Sequence, residues 1–355
     1  MTEVLDIDAD RACREIEEAI RRAVQGDLGR RGVVVGLSGG VDSALTAALS
    51  ARALGPDRVL GVLMPERDSS SESLRLGRAA ADALRIGLVL EDIGPALEAM
   101  GCYRRQVDAI REAFPEYAEG WRCRLVLPSL LSGDRLSVFR LEVESPRGER
   151  KSSRLSAPAY KQLVAATNFK QRTRKMFEYY HADRLGYAVA GTPNRLEFDQ
   201  GFFVKLGDGA ADFKPIAHLY KSQVYALAAH LGVPDEILAQ PPTTDTFSMP
   251  QTQEEFYFAL PYREMDLCLY GMNEGLPPEE VAAAAGLSAD QVARVYRDIE
   301  AKRRATRYLH APAKLVRAVQ PRVGRAPDRQ GPGSAGEGAG AEGEGPGGDS
   351  QVAET

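Results

Sequence analysis

Between residues 8 and 26 the apolar positions Ala12, Ile16, Ala19, Ile20 and Ala23 recur at helical spacing and predict a leading helix. Short apolar runs follow at 32–37 (GVVVGL), 58–65 (RVLGVLMP) and 88–93 (LVLEDI), with helical stretches at 42–54 and 71–85 between them. Strands alternating with helices of this length predict βαβ units, hence a doubly wound α/β fold around a parallel sheet. A fourth buried strand, YAVAG (187–191), follows the long helical pattern of residues 158–185.

Residues 103–157 break this rhythm. The stretches 122–130 and 134–145 flank a turn at Leu131-Ser132-Gly133 and predict a β-hairpin, followed by a charged turn at PRGERKSSR (146–154). The whole is an insertion in the α/β pattern. From about residue 321 the composition turns to glycine, glutamate and proline, with almost no apolar side chains to offset the entropy of ordering. The expected organisation is one α/β domain over 1–320, ending in C-terminal helices, and a disordered tail over 321–355.

Apolar residues make up 44% of the 355 and charged residues 27%, an ordinary globular balance. A net charge of −5 offers no global attraction to nucleic acid or to an anionic membrane, and no apolar run approaches the roughly 20 residues of a membrane span. Cys13, Cys102, Cys123 and Cys268 are scattered, without a C-x-x-C pair, so they read as thiols of a reducing cytoplasm. The acidic amphipathic start is not a secretory signal.

The chemistry concentrates at Gly36-Leu37-Ser38-Gly39-Gly40-Val41-Asp42-Ser43, between a strand and a helix. There, backbone N–H groups and the positive end of the helix gather an anion, and the glycines let main chain approach phosphate oxygens. Ser38 and Ser43 add hydroxyl donors. Neither the Walker lysine nor the dinucleotide-binding G-x-G-x-x-G is present. Asp42 would repel a phosphate unless a cation stood between them, which points to Mg²⁺ on a triphosphate.

SGGVDS resembles the pyrophosphate loop of the N-type ATP pyrophosphatases. The second half narrows the resemblance to NAD synthetases of the ammonia-dependent type. Asn168-Phe169-Lys170-Gln171-Arg172 is similar to their N-I-x-x-R, and Gly191-Thr192-Pro193-Asn194-Arg195-Leu196-Glu197 to G-T-x-N-x-x-E. Residues 201–209 (GFFVKLGDG), 212–216 (DFKPI), 219–224 (LYKSQV) and 241–245 (PPTTD) resemble four further family segments, in order. The likeness covers most of residues 10–305 and implies an adenine-nucleotide α-hydrolase-like fold.

The resemblance implies roles. Asp42 and Glu197 hold Mg²⁺, and Asp42 and Lys221 are central to catalysis. Gly36, Ser38, Gly39, Gly40, Ser43, Arg67, Thr192, Lys221 and Thr243 contact ATP. Arg172, Lys205, Asp212 and Lys302 bind the dinucleotide. The implied reaction starts with attack of the nicotinate carboxylate of deamido-NAD on the α-phosphate of ATP. Ammonia then displaces AMP from the acyl adenylate. His181, His218, His230 and His310 suggest no nucleophile pair, and this mechanism needs none. Glutamine-dependent relatives carry an amidase domain upstream, whereas only residues 1–31 precede the first strand here, so the nitrogen is expected from free ammonia or a separate glutaminase partner. Members of this short type are homodimers with the dinucleotide across the subunit interface.

Four features depart from the family pattern: the 103–157 insertion, Pro193, residues 246–256 in place of L-x-x-x-Q-T-D-E, and Ala301 where a histidine precedes Lys302. Pro193 stands next to the ATP site, but the ATP half is otherwise nearly intact and the acyl-acceptor side is edited, as in an amide ligase for a different carboxylate, the alternative to a genuine NAD synthetase. A reading of another class is a helix-turn-helix at 277–307, whose A-A-G-L-S turn and basic end resemble a DNA-binding unit.

Overall fold

The computed structural model describes residues 3–127, 139–243 and 246–317. The chain divides into two units after Ala311, and every element named below lies in the first. The expected tail (321–355), the Leu131-Ser132-Gly133 turn, and Thr244-Asp245 of the PPTTD segment fall outside the described residues.

The leading helix α1 (Ala9–Arg21) starts where Asp8 accepts the Arg11 N–H at 3.0 Å, and it runs into a π-helical turn at Arg22–Asp27. Then come β1 (Val33–Gly36), α2 (Val41–Leu54), β2 (Val59–Leu63), α3 (Ser71–Leu84) and β3 (Gly87–Leu90). All pairs in this sheet are parallel, with Val33 opposite Val59 and Leu60 opposite Gly87. The three β1 valines are fully buried because both faces of the sheet are covered. Val33 and Val35 face the layer of α1, α2 and α3, while Val34 faces the opposite layer with Val62 and Ala182. Helix α2 is buried nearly all round, and its Ala44, Ala47, Ala48 and Ala51 allow that close packing.

After α4 (Gly94–Ala99), the expected insertion over 103–157 contains α5 (Cys102–Arg111), β4 (Arg122–Val126), β5 (Arg140–Glu144) and β6 (Arg150–Ser153). The hairpin is there, with Arg122 opposite Glu144 and Val126 opposite Arg140. The stretch 146–154 is more than a charged turn: Arg150–Ser153 pairs with β5 as a third strand. Its polar residues hid it, and charge supports it, since buried Glu144 holds both Arg122 and Arg150 across the strands.

Helix α6 (Ala157–Leu185) covers the second face of the parallel sheet and leads to β7 (Ala188–Val189) beside β1, completing the order β3-β2-β1-β7. This strand is shorter than the expected 187–191. Asp212 replaces a neighbouring strand: its carboxylate accepts the Val189 N–H at 2.7 Å and its own N–H donates to the Val189 carbonyl at 2.9 Å. Beyond β7 lie α7 (Arg195–Gln200), α8 (Lys221–His230), α9 (Asp235–Leu238) and the C-terminal α10 (Tyr262–Asn273), α11 (Pro278–Ala285) and α12 (Ala289–His310). Helices α11 and α12 pack with α10 in one core containing Val281, Ala285, Val292, Val295 and Ile299. The apolar face of the suspected recognition helix is therefore spent on the protein interior. Among the described residues no helix is long and apolar enough to cross a membrane.

Candidate active site

Chain order reverses at β1, with β2 on one side and β7 on the other. In such sheets the crevice beyond the carboxyl ends of the strands at the reversal is where ligands sit. The loop after β1 carries Ser38 to Ser43, and the turn after β7 carries Thr192 to Glu197. Topology thus brings together two motifs about 150 residues apart in sequence.

The first loop is shaped by its small residues. Gly39 has φ +80°, and a Cβ there would lie 2.4 Å from the Ser73 carbonyl of α3. Gly40 is in ordinary extended backbone and caps α2 without a side-chain hydrogen bond, so the first turn of α2 keeps its N–H groups for another acceptor. Ser38 and Ser43 hold the loop from within: their hydroxyl oxygens lie 3.2 Å apart, and Ser43 donates to the Gly40 carbonyl at 2.9 Å.

Asp42 is the hub. One carboxylate oxygen accepts the Asn194 amide at 3.0 Å, and the other pairs with the Lys221 ammonium. Asn194 also caps α7, accepting the Glu197 N–H at 3.2 Å while Glu197 accepts the Asn194 N–H at 3.1 Å. Gln253 donates to the other Glu197 oxygen at 2.9 Å. Burial, and then the negative charge of Asp42, push the Glu197 carboxyl up to about 8. Burial alone would lower the Lys221 ammonium, but Asp42 and Glu197 outweigh it and raise its pKa above the ordinary lysine value. Lys221 opens α8, where the buried Asp266 accepts the Lys221 and Ser222 N–H groups at 3.1 and 2.7 Å. Burial raises the Asp266 carboxyl to about 6.

Two carboxylates whose charges oppose each other fit a divalent cation. Among the described residues no cluster of three or more ligating side chains exists. Two carboxylates alone suit Mg²⁺, which takes its remaining oxygens from water and phosphate.

Beside this network lies a cavity of about 450 Å³, bordered by Gly36, Ser38, Thr192, Glu197 and Thr243 among the expected residues. Lys170 of α6 borders it too, 1% exposed and paired with Glu66 at 2.9 Å and Asp68 at 2.7 Å. Phe139, Tyr160, Phe202, Phe247 and Phe256 supply an aromatic wall.

The remaining expected residues stand elsewhere. Arg67 does not border the cavity; its guanidinium lies 3.8 Å above the Tyr103 ring. Arg172 donates to the Lys205 carbonyl at 3.2 Å, and the Lys205 ammonium donates to the carbonyls of Tyr308 and Ala311 at 2.7 and 2.8 Å. Asp212 is engaged by Val189 and by the Tyr179 hydroxyl at 3.2 Å. Lys302 pairs with Asp298 at 2.7 Å and donates to the Tyr257 carbonyl at 2.8 Å. Sequence reasoning gave no site role to Lys170, Asn194, Gln253 or Asp266. Asp266 and Gln253 act across the fold and carry no local signal, whereas Asn194 could have been found, because N-x-x-E is the pattern of a capping box.

Comparison with known proteins shows the family and the fold. The NAD synthase family model matches residues 12–126 and 145–307. The chain is 62% identical over 308 residues to an NH(3)-dependent NAD(+) synthetase of Mesorhizobium japonicum, covering 87% of this chain and 97% of that one. To the protein of the same name from Thermotoga maritima it is 38% identical, covering 70% and 84%. Among solved structures, an NH3-dependent NAD synthetase from Campylobacter jejuni superposes with a TM-score of 0.56 at 21% identity, over 88% of this chain and 100% of that one. An NMN synthetase from Francisella tularensis gives 0.60 at 22% identity, over 87% and 99%. At such identities the structural likeness speaks for the fold.

Proposed function

The chain belongs to the NAD synthase family, and from that premise we propose that it amidates deamido-NAD to NAD, with ATP as activating co-substrate and ammonia as nitrogen donor. The observation that carries this reading is the network of Asp42, Asn194, Glu197 and Lys221 at the mouth of the β1–β7 crevice, beside a cavity walled by aromatic rings.

A carboxylate is a poor acyl donor, so the reaction must first give it a leaving group. An oxygen of the nicotinate carboxylate attacks the α-phosphorus of ATP, the bond to the β-phosphate oxygen breaks, and pyrophosphate departs. Ammonia then attacks the acyl carbonyl, AMP leaves with the bridging oxygen, and the nitrogen sheds a proton. The N–H groups opening α2 and the hydroxyls of Ser38 and Ser43 bind the phosphates. Lys221, kept charged by Asp42 and Glu197, is a fixed cation for the departing pyrophosphate. Thr192 and Thr243 supply hydroxyl donors at the cavity edge. Asp42 and Glu197 would hold Mg²⁺, which when bound neutralises phosphate charge. The protein mainly orients reactants and excludes water.

Arg172, Lys205 and Asp212 lie outside the cavity, which suits a dinucleotide extending beyond it. Arg172, Met176 and Tyr180 form one exposed stripe at i, i+4 and i+8 along α6, and this apolar and basic face fits the subunit interface of a homodimer. The relatives are named for ammonia dependence, which favours ammonia itself over a glutaminase partner.

The test is product analysis by mass spectrometry with ATP, Mg²⁺, ammonium and deamido-NAD, using Asp42→Ala as control. NAD, AMP and pyrophosphate should appear together and vanish in the control. Mg-ATP binding without NAD formation would move the search to other carboxylic acids.

A further inference from the structure

Strand β4 and residues 246–256 meet in space. Strand β4 pairs with β5 along one edge. Its other edge, which would otherwise expose unpaired backbone, is taken by residues 246–256. The Cys123 N–H donates to the Ser248 hydroxyl at 2.9 Å, and the Cys123 carbonyl accepts the Met249 N–H at 3.1 Å. The Leu125 carbonyl accepts the buried Gln251 side-chain amide, and the Leu127 N–H donates to the Glu255 carbonyl at 3.0 Å. Positions 123, 125 and 127 are the alternate residues of one strand edge, so the contact follows the strand and is not a chance touch. Arg124 adds Pro250 at 3.3 Å and Glu255 at 3.5 Å. Behind them Phe247 and Phe256 join the core of Leu125, Leu141 and Val143.

The far side of the same segment reaches the active site. Gln253 donates to Glu197, and its N–H donates to the Pro242 carbonyl at 2.8 Å. Thr252 pairs with Thr243 in an isolated bridge. Lys170 donates to the Thr246 carbonyl at 2.9 Å.

We infer that the β4–β5–β6 sheet is a clamp that positions the phosphate end of the site, with Gln253 as the positioning residue through which it acts on the Glu197 carboxylate. The inference rests on the reading of Asp42 and Glu197 as the Mg-ATP site. The sheet grips one edge of the segment, the segment holds the Gln253 amide on one Glu197 oxygen, and the other oxygen is held by its own N-cap. The carboxylate is thereby oriented before substrate arrives. Without the clamp, Gln253 and the wall residues Phe247 and Phe256 would have to be ordered on binding, and affinity would fall by that cost.

Calorimetric binding of a non-hydrolysable ATP analogue, with and without Mg²⁺, tests the clamp in the full chain. Ser248→Ala and Gln251→Ala cut it at residues that do not themselves border the cavity, Gln253→Ala removes its output, and Gln251→Ala/Gln253→Ala combines the two. With Mg²⁺, Gln251→Ala and Gln253→Ala should each bind roughly tenfold more weakly, the scale of one hydrogen bond to a charged group. The double variant should be no worse than the weaker single, because both act along one path. In EDTA the wild type and Gln253→Ala should bind alike. Amide exchange over 246–256 should quicken in the two clamp variants. Should Gln251→Ala fold poorly, Ser248→Ala carries the test with a several-fold loss. Clamp variants that bind like wild type, or losses that multiply in the double variant, overturn the inference. A wild type that fails to bind the analogue with Mg²⁺ refutes the Mg-ATP site itself, a separate result.

Discussion

The phosphate end of the site and the residues expected to hold the dinucleotide came from the same kind of sequence reading, yet the fold treats them differently. Asp42, Asn194, Glu197 and Lys221 converge into one hydrogen-bonded network, though they span the chain from the first βα turn to α8. Arg172, Lys205, Asp212 and Lys302 form no such network: Arg172 meets the Lys205 carbonyl, and the other three side chains are tied to structural partners of their own. The difference is topological. Residues at the carboxyl ends of adjacent parallel strands are delivered to one crevice by the sheet. Residues on the faces of α6 and α12 are delivered to whatever those faces meet, and Arg172, Met176 and Tyr180 remain exposed on α6.

The contrast can be broken first at its strongest point. Asp42→Ala should lower kcat/KM by roughly 10²–10³-fold, the effect of losing one preorganised electrostatic contact. It also strands the Lys221 ammonium, 2% exposed, so denaturant unfolding should show a loss of about 3–5 kcal/mol. Gly39→Ala comes next. The positive φ and the 2.4 Å approach to the Ser73 carbonyl leave no room for a methyl, and a cost of about 1–3 kcal/mol should accompany weaker ATP binding.

Asp266 gives a pH signature. Its carboxyl is raised from 3.8 to about 6 by burial, so between those pH values the folded state holds a proton that the unfolded state has released. Its stabilising contribution is complete below about pH 3.8 and is lost as pH rises through about 6. Asp266→Asn should flatten stability against pH in that window, measured by urea unfolding at each pH. The smallest effect is expected at Arg67→Ala: with its guanidinium on Tyr103 and outside the cavity, ATP affinity should change no more than about twofold.

What the sequence made legible follows the same division. The strands at 33–36 and 59–63 stood out because burial on both faces writes a continuous valine-rich run. The glycine loop stood out because close backbone approach to an anion restricts residue type. β6 did not, because an edge strand stabilised by Arg150 against Glu144 has no apolar alternation to display. Asp212 shows the limit of motif reading from another side. Whatever it contributes to substrate, its carboxylate already ends the sheet by capping β7. Gln253 and Asp266 lay beyond reach because their partners, Glu197 and Lys221, are 56 and 45 residues away.

The central claim is that a carboxylate is activated by attack on the α-phosphorus of ATP. Deamido-NAD labelled with ¹⁸O in its carboxylate, turned over with ATP, Mg²⁺ and ammonium, tests it directly by mass spectrometry of the nucleotide products. AMP carrying one ¹⁸O, with unlabelled pyrophosphate and one ¹⁸O retained in the amide of NAD, is the predicted result. Unlabelled AMP, or ADP with labelled phosphate, would contradict it.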